Sequence, residues 1–176
     1  MAGLSPAKQR LILHWGEMGD RWGVNRTVAQ VHALLHLSPV PLTAEEIAET
    51  LSVARSNVST SIRELQSWGL VRPVQTLGER RQQFESVKDV WEMFRIILDQ
   101  RKKREIDPTL QVLRECISGV EGKDGDSVYA RERLRELEDF FSGVDTIYSE
   151  LRQLPPSALR RFLKARGLIR KLMPAK

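Results

Sequence analysis

Apolar residues recur at helical spacings along most of the chain, and the places where that rhythm breaks define its plan. Leu11, Trp15, Met18 and Trp22, spaced four, three and four, predict an amphipathic helix over Ser5–Arg21 with those residues as its inward stripe. Val28, Val31 and Leu35 predict a second helix over Asn25–Leu37, with Trp22-Gly23 as the corner between the two. Ser38-Pro39-Val40-Pro41 ends that helix and forms a stiff connector. Ile47, Ala48 and Leu51 share one face of a short helix, and Val58, Ile62 and Leu65 one face of the next, with Ser52-Val53-Ala54 as the turn. The period then shortens. Leu70-Val71-Arg72 and Gln83-Phe84-Glu85-Ser86-Val87 read as two strands around the basic loop Thr76-Leu77-Gly78-Glu79-Arg80-Arg81.

Helical spacing returns from Lys88 to about Arg104, with Trp91, Phe94 and Leu98 on one side and a basic run, Arg101–Arg104, read as solvated surface. Asp107-Pro108 either restarts a helix, Asp capping and Pro first, or kinks one long helix. Glycines and charges mark 119–126 as a loop. From Ser127 to Leu154, Leu134, Leu137, Phe141, Val144, Tyr148 and Leu151 alternate three and four apart, the spacing of a coiled-coil seam. Phe140, Ile147 and Leu154 add a second stripe, so the apolar face is broad enough to need a cover, and a second subunit is the expected one. After Pro155-Pro156 a last amphipathic helix is predicted, carrying Leu159, Phe162, Leu163, Ile169 and Leu172.

The expected fold is therefore mainly α with a small β-wing: a winged helix-turn-helix over 42–87, flanked by N-terminal helices (1–41) and a C-terminal helical region (88–176) that serve dimerisation. Local signals agree. Thr43 and Glu46 have capping-box spacing, and Gly69 suits a left-handed helix end. Ala54 stands where a capping hydroxyl is usual, leaving Ser52 or a bound phosphate to complete that helix start.

With Val58, Ile62 and Leu65 inward, the second helix of the motif turns Arg55, Ser56, Asn57, Ser59, Thr60 and Arg63 outward, with no carboxylate of its own before Glu64. Small side chains let a helix enter the ~12 Å major groove, where Arg pairs with guanine and Asn with adenine. Hydroxyls suit phosphate oxygens. The alternative is a winged-helix protein-interaction module in a chromosome-associated assembly, against which the basic wing and carboxylate-poor face argue.

Charge supports nucleic acid. The 176 residues carry a net +5. Five arginines face two glutamates between Ala54 and Arg81, and seven basic residues and no acid follow Pro155. Cys116, the single cysteine, has no intrachain partner and is expected as a buried apolar residue. Neither a secretion signal nor a run of roughly 20 apolar residues is present, so a cytoplasmic protein without membrane contact is expected. No phosphate-cradling loop or nucleophile elbow suggests an enzyme, and no cofactor is expected. His32 and His36 lie one turn apart, but a metal needs a third ligand, from His14 or Glu17; they are read as interface or partly buried histidines.

Trp15 through Leu110 resembles the GbsR-type branch of the MarR winged-helix regulators. The matching residues are Gly16-Glu17-Met18-Gly19, Arg21-Trp22-Gly23-Val24-Asn25-Arg26, Leu42-Thr43-Ala44-Glu45-Glu46-Ile47-Ala48, Ser56-Asn57-Val58-Ser59, Glu64-Leu65-Gln66-Ser67-Trp68-Gly69-Leu70-Val71 and Arg104-Glu105-Ile106-Asp107-Pro108. Asn25 stands where that family more usually has proline. The resemblance implies a homodimeric transcription regulator, usually a repressor of a double-stranded DNA operator. It also implies Ser56, Asn57, Ser59 and Thr60 as major-groove readers and Arg80 and Arg81 as wing contacts. Some relatives respond to quaternary ammonium compounds, which aromatic faces attract; Trp15, Trp22, Trp91 and Tyr148 are the candidates for such an effector site, although aromatics at helical spacing commonly serve as core.

Overall fold

A computed structural model describes residues 3–75, 77–78, 80–155, 157–158 and 161. Its elements run α1 (Pro6–Arg21), α2 (Arg26–Leu37), β1 (Leu42–Thr43), α3 (Ala44–Leu51), α4 (Arg55–Trp68), β2 (Val71–Val74), β3 (Gln83–Ser86), α5 (Val90–Arg101), a π-helical turn (Lys102–Ile106), α6 (Asp107–Gly119) and α7 (Gly125–Gln153). The predicted helix after Pro155-Pro156 lies outside the described residues. The chain divides into two units, Met1–Ile96 and Ile97–Lys176.

In the first unit α2 is the central element, buried from Val28 to Leu35, and it packs on α1, α3, α4 and β3. The helix is closed at its end by a residue distant in sequence. Lys88 donates from Nζ to the carbonyls of Leu35 (2.6 Å), His36 (3.3 Å) and Ser38 (2.7 Å). These are the orphan acceptors of a helix C-terminus, where a cation is also favoured by the helix dipole. Burial in turn pulls the Lys88 ammonium below its ordinary pKa.

The buried face of α1 differs from the expected stripe. Ile12, Gly16 and Gly19 face inward, while Leu11 and Trp22 are exposed and Trp15 and Met18 half-buried. The two glycines are the reason. A Cβ on Gly19 would lie 2.5 Å from Ala29 Cβ, and one on Gly16 2.8 Å from Gln30 Cγ, so α2 rests directly on the α1 backbone. An apolar-spacing rule does not count glycine as a contact residue. Gly19→Ala is expected to destabilise the fold by a net of roughly 1–2 kcal/mol, overpacking outweighing alanine's better helix propensity. Urea unfolding of the two proteins checks this.

The sheet has three antiparallel strands in the order β1-β3-β2, with Leu42 opposite Phe84 and Pro73 also opposite Phe84. Sequence spacing predicts β2 and β3 but not the two-residue β1, which is too short to show a period.

In α5, Met93 is the buried residue; Phe94 is exposed, and Trp91 and Leu98 are half-buried. The helix does not stop before Asp107-Pro108. It widens, Asp107 donating its N–H to Lys102 five residues back, and continues as α6. Pro108 has no N–H for the α-helical bond, and a π turn absorbs the mismatch. Within the basic run, Lys102 is not a solvated side chain: its Nζ bonds Asp107 and, at 2.9 Å, Asp145 of α7, which hold the ammonium above its ordinary pKa.

Helix α7 starts at Gly125, capped by Asp124, so the end of the expected loop is helical. It packs on α6, with Arg114 Nε 3.0 Å from Glu138 Oε1. Leu134, Phe141, Val144, Tyr148 and Leu151 are half-buried, but Leu137, Phe140, Ile147 and Leu154 stand exposed. Cys116 is exposed too, contrary to expectation. Leu110 and Leu113 set the inward direction of α6, and Cys116 falls beside that stripe.

Candidate nucleic-acid interface

The helix-turn-helix is built from local signals that the structure realises. Thr43 Oγ1 accepts from Glu46 N (3.2 Å), and Glu46 Oε2 accepts from Thr43 N (2.7 Å), completing the capping box at the start of α3. Because Thr43 also pairs with Gln83 of β3, one buried residue ties the start of α3 to the wing. Ser52 ends α3 in the left-handed region at φ 57°, so it closes the first helix rather than opening the second. Helix α4 begins after Ala54 without a side-chain cap and ends on left-handed Gly69 at φ 80°.

Val58, Ile62 and Leu65 are buried as expected, joined by Ser61, whose small side chain fits the same packed face. On the other side Arg55, Ser56, Asn57, Thr60 and Arg63 are exposed and Ser59 is half-buried. The six residues therefore form one face along the first three turns of α4. Arg63 donates to Thr60 Oγ1 at 3.3 Å. In the wing, Arg72 and Glu85 join β2 to β3 through contacts of 2.6 and 2.7 Å. Gly78 adopts φ 88° at the tip, which an L side chain resists. Arg80 and Arg81 are exposed beyond it.

A carboxylate from outside α4 joins this face. Arg55 Nε lies 2.6 Å from Glu45 Oε1 of α3. The Arg55 hydrogen bond, chiefly, and the Arg81 charge hold the Glu45 carboxyl below its ordinary pKa. Glu45, Arg55, Ser59, Arg63 and Arg81 line one groove between α3, α4 and the wing. A reading of α4 alone misses Glu45. A ten-residue gap across a helix-turn-helix is the available signal, since the turn brings two helix starts together.

The other candidates lie on different elements. Trp15 and Trp22 sit on α1 and its C-terminal cap, and Trp91 on the first turn of α5, all in the first unit. Tyr148 belongs to the second, where Lys102 Nζ faces its ring 5.9 Å from the centroid. His32 is buried and His36 half-buried, their ring centroids 6.2 Å apart, whereas His14 and Glu17 are exposed on α1. Among the described residues no three His, Cys, Asp or Glu side chains group to hold a metal, and no helix is long and apolar enough to cross a membrane.

A MarR-family model matches residues 22–82, the span from the α1 cap through the helix-turn-helix into the wing. The chain is similar to the HTH-type transcriptional repressor GbsR of Bacillus subtilis (strain 168), 22% identical over 160 residues, covering 89% of this chain and 88% of the relative. Among solved structures it is similar to a transcriptional regulator at a TM-score of 0.64 and 18% identity, covering 90% of this chain and 99% of that one, a likeness of fold. The capping box, the turn at Ser52 and α4 thus lie inside the segment that matches the MarR-family model, the wing begins there, and over most of its length the chain is similar to a GbsR-type transcriptional repressor.

Proposed function

We propose that the protein is a homodimeric, sequence-specific repressor that binds double-stranded DNA through α4 and the wing. The observation carrying this reading is the single exposed face of Arg55, Ser56, Asn57, Thr60 and Arg63, with Arg80 and Arg81 exposed in the adjacent wing. Asn57 suits adenine and the arginines guanine or phosphate, while Ser56, Ser59 and Thr60 fix register on the backbone. Repression follows the similarity to GbsR.

Dimerisation is supported by apolar residues left exposed, among them Leu11 and Trp22 on the first unit, Leu137, Phe140 and Ile147 on α7, and Leu154 at the α7 cap. The α7 residues, with half-buried Val144 and Leu151, recur three and four apart, the spacing by which a second copy's helix is met. A two-fold dimer requires a pseudo-palindromic operator with half-sites about one or more helical turns apart. Light scattering on a sizing column should give twice the chain mass.

Gel-shift titration against the promoter beside the protein's own gene, at several salt concentrations, tests the whole reading. Asn57→Ala is expected to reduce discrimination between operator and unrelated duplex by about 1–3 kcal/mol. Arg81→Ala should weaken both duplexes alike and flatten the salt slope by about one unit. Equal losses on every sequence for both variants would overturn the assigned roles.

A further inference from the structure

The DNA face contains one group whose charge is wrong for DNA. Glu45 lies in the first turn of α3, beside the capping box but outside it, and its Oε1 takes Arg55 Nε at 2.6 Å. The Arg55 and Glu45 side chains are 62% and 38% exposed, and an exposed ion pair adds little to stability. Its position is what matters. The groove that Glu45 shares with Arg55, Ser59, Arg63 and Arg81 is the surface a phosphate backbone would approach.

Two consequences follow from the geometry. A guanidinium bonded through Nε keeps four N–H donors on its two terminal nitrogens, the fork that pairs with guanine O6 and N7. A phosphate arriving at the same arginine meets a neighbouring carboxylate, so it is held less tightly there than at a lone arginine. Arg63 offers a contrast, since it donates to the neutral Thr60 hydroxyl. The carboxylate, ionised at neutral pH like any glutamate, also stands in the field of Arg81, and the Arg55 hydrogen bond, chiefly, with that field lowers its pKa further.

We propose that Glu45 is a specificity-determining residue of this regulator: its carboxylate holds Arg55 for a base edge and suppresses indiscriminate phosphate binding by Arg55 and Arg81. The inference rests on the DNA-binding reading above and adds to it a residue outside the recognition helix that sets the ratio of specific to non-specific affinity. Repulsion of DNA lowers binding everywhere, but the loss is smaller where Arg55 finds a base partner.

Glu45→Gln removes the charge while keeping an oxygen that accepts from Arg55 Nε. Affinities for the operator duplex and for a random duplex of equal length are measured from about 50 to 200 mM salt. Non-specific affinity is expected to rise about threefold to tenfold at the low-salt end, with a slope steeper by about 0.9 for each additional phosphate neutralised. Operator affinity should change less, so the specific-to-non-specific ratio falls. In an Arg55→Ala background the same substitution should raise non-specific binding by less than half as much on a logarithmic scale. An unchanged or higher ratio, or an undiminished rise without Arg55, overturns the proposal. A native protein that binds neither duplex overturns the DNA reading itself; a native protein that discriminates, matched by its Glu45→Gln variant, overturns only the role of Glu45.

Discussion

Leu65→Ala is expected to destabilise the first unit by about 2–5 kcal/mol, the cost of removing a buried leucine and leaving a cavity. Leu65 is 1% exposed and shares the inward stripe of α4 with Val58 and Ile62. Its carbonyl also accepts from Leu70 N at 2.9 Å, so the residue sits where α4 turns into β2. Much of the loss should appear as a lower denaturant midpoint with an unchanged slope. The face proposed to meet DNA lies on the other side of α4, so molecules that remain folded should keep whatever operator preference the native protein shows. Thr60→Ala, an exposed change one to two turns earlier, should stay within about 0.5 kcal/mol of the native protein. Equal midpoints for Leu65→Ala and the native chain would show that α4 is not held by this stripe.

A second large effect is acid sensitivity set by His32. Burial, chiefly, and then the charges of His36 and Lys88 push its pKa from 6.5 down to about 4. Its Nε2 is buried with no hydrogen-bond partner among the described residues, so nothing there compensates a charge on the ring. Between those two pH values the unfolded chain takes up a proton that the folded protein refuses. Stability is therefore fully present above about pH 6.5 and declines as pH falls toward 4, by roughly 3 kcal/mol in all. His32→Leu should flatten the unfolding free energy across that window while leaving stability at pH 7.5 similar or higher, because an unpaired polar atom is removed. Chemical unfolding at intervals from pH 7.5 to 4.5 measures the slope. A slope identical in both proteins would assign the acid sensitivity elsewhere.

Other contacts show where periodicity stops informing. Apolar spacing points to the wrong stripe on α1 because glycine has no side chain to count, yet Gly16 and Gly19 are where α2 rests on the α1 backbone. The usual burial of cysteine points Cys116 inward; on α6 the direction of burial is set by Leu110 and Leu113, and Cys116 lies off their line. The Lys102 bridge to Asp107 and Asp145 joins the π turn, α6 and α7, and no run of four basic residues announces which one will be paired.

The sequence by itself determined the helix-turn-helix: the capping box at Thr43, the buried Val58, Ile62 and Leu65, the left-handed Gly69 and the polar face between Arg55 and Arg63. Each of these depends on residues within about one or two helical turns, where spacing and backbone preference act directly. Only the tertiary structure decided that Lys88 closes α2, that Thr43 ties α3 to the wing, and that Glu45 holds Arg55. Those pairings join residues whose proximity arises from packing, and a short-range pattern contains no distance between elements.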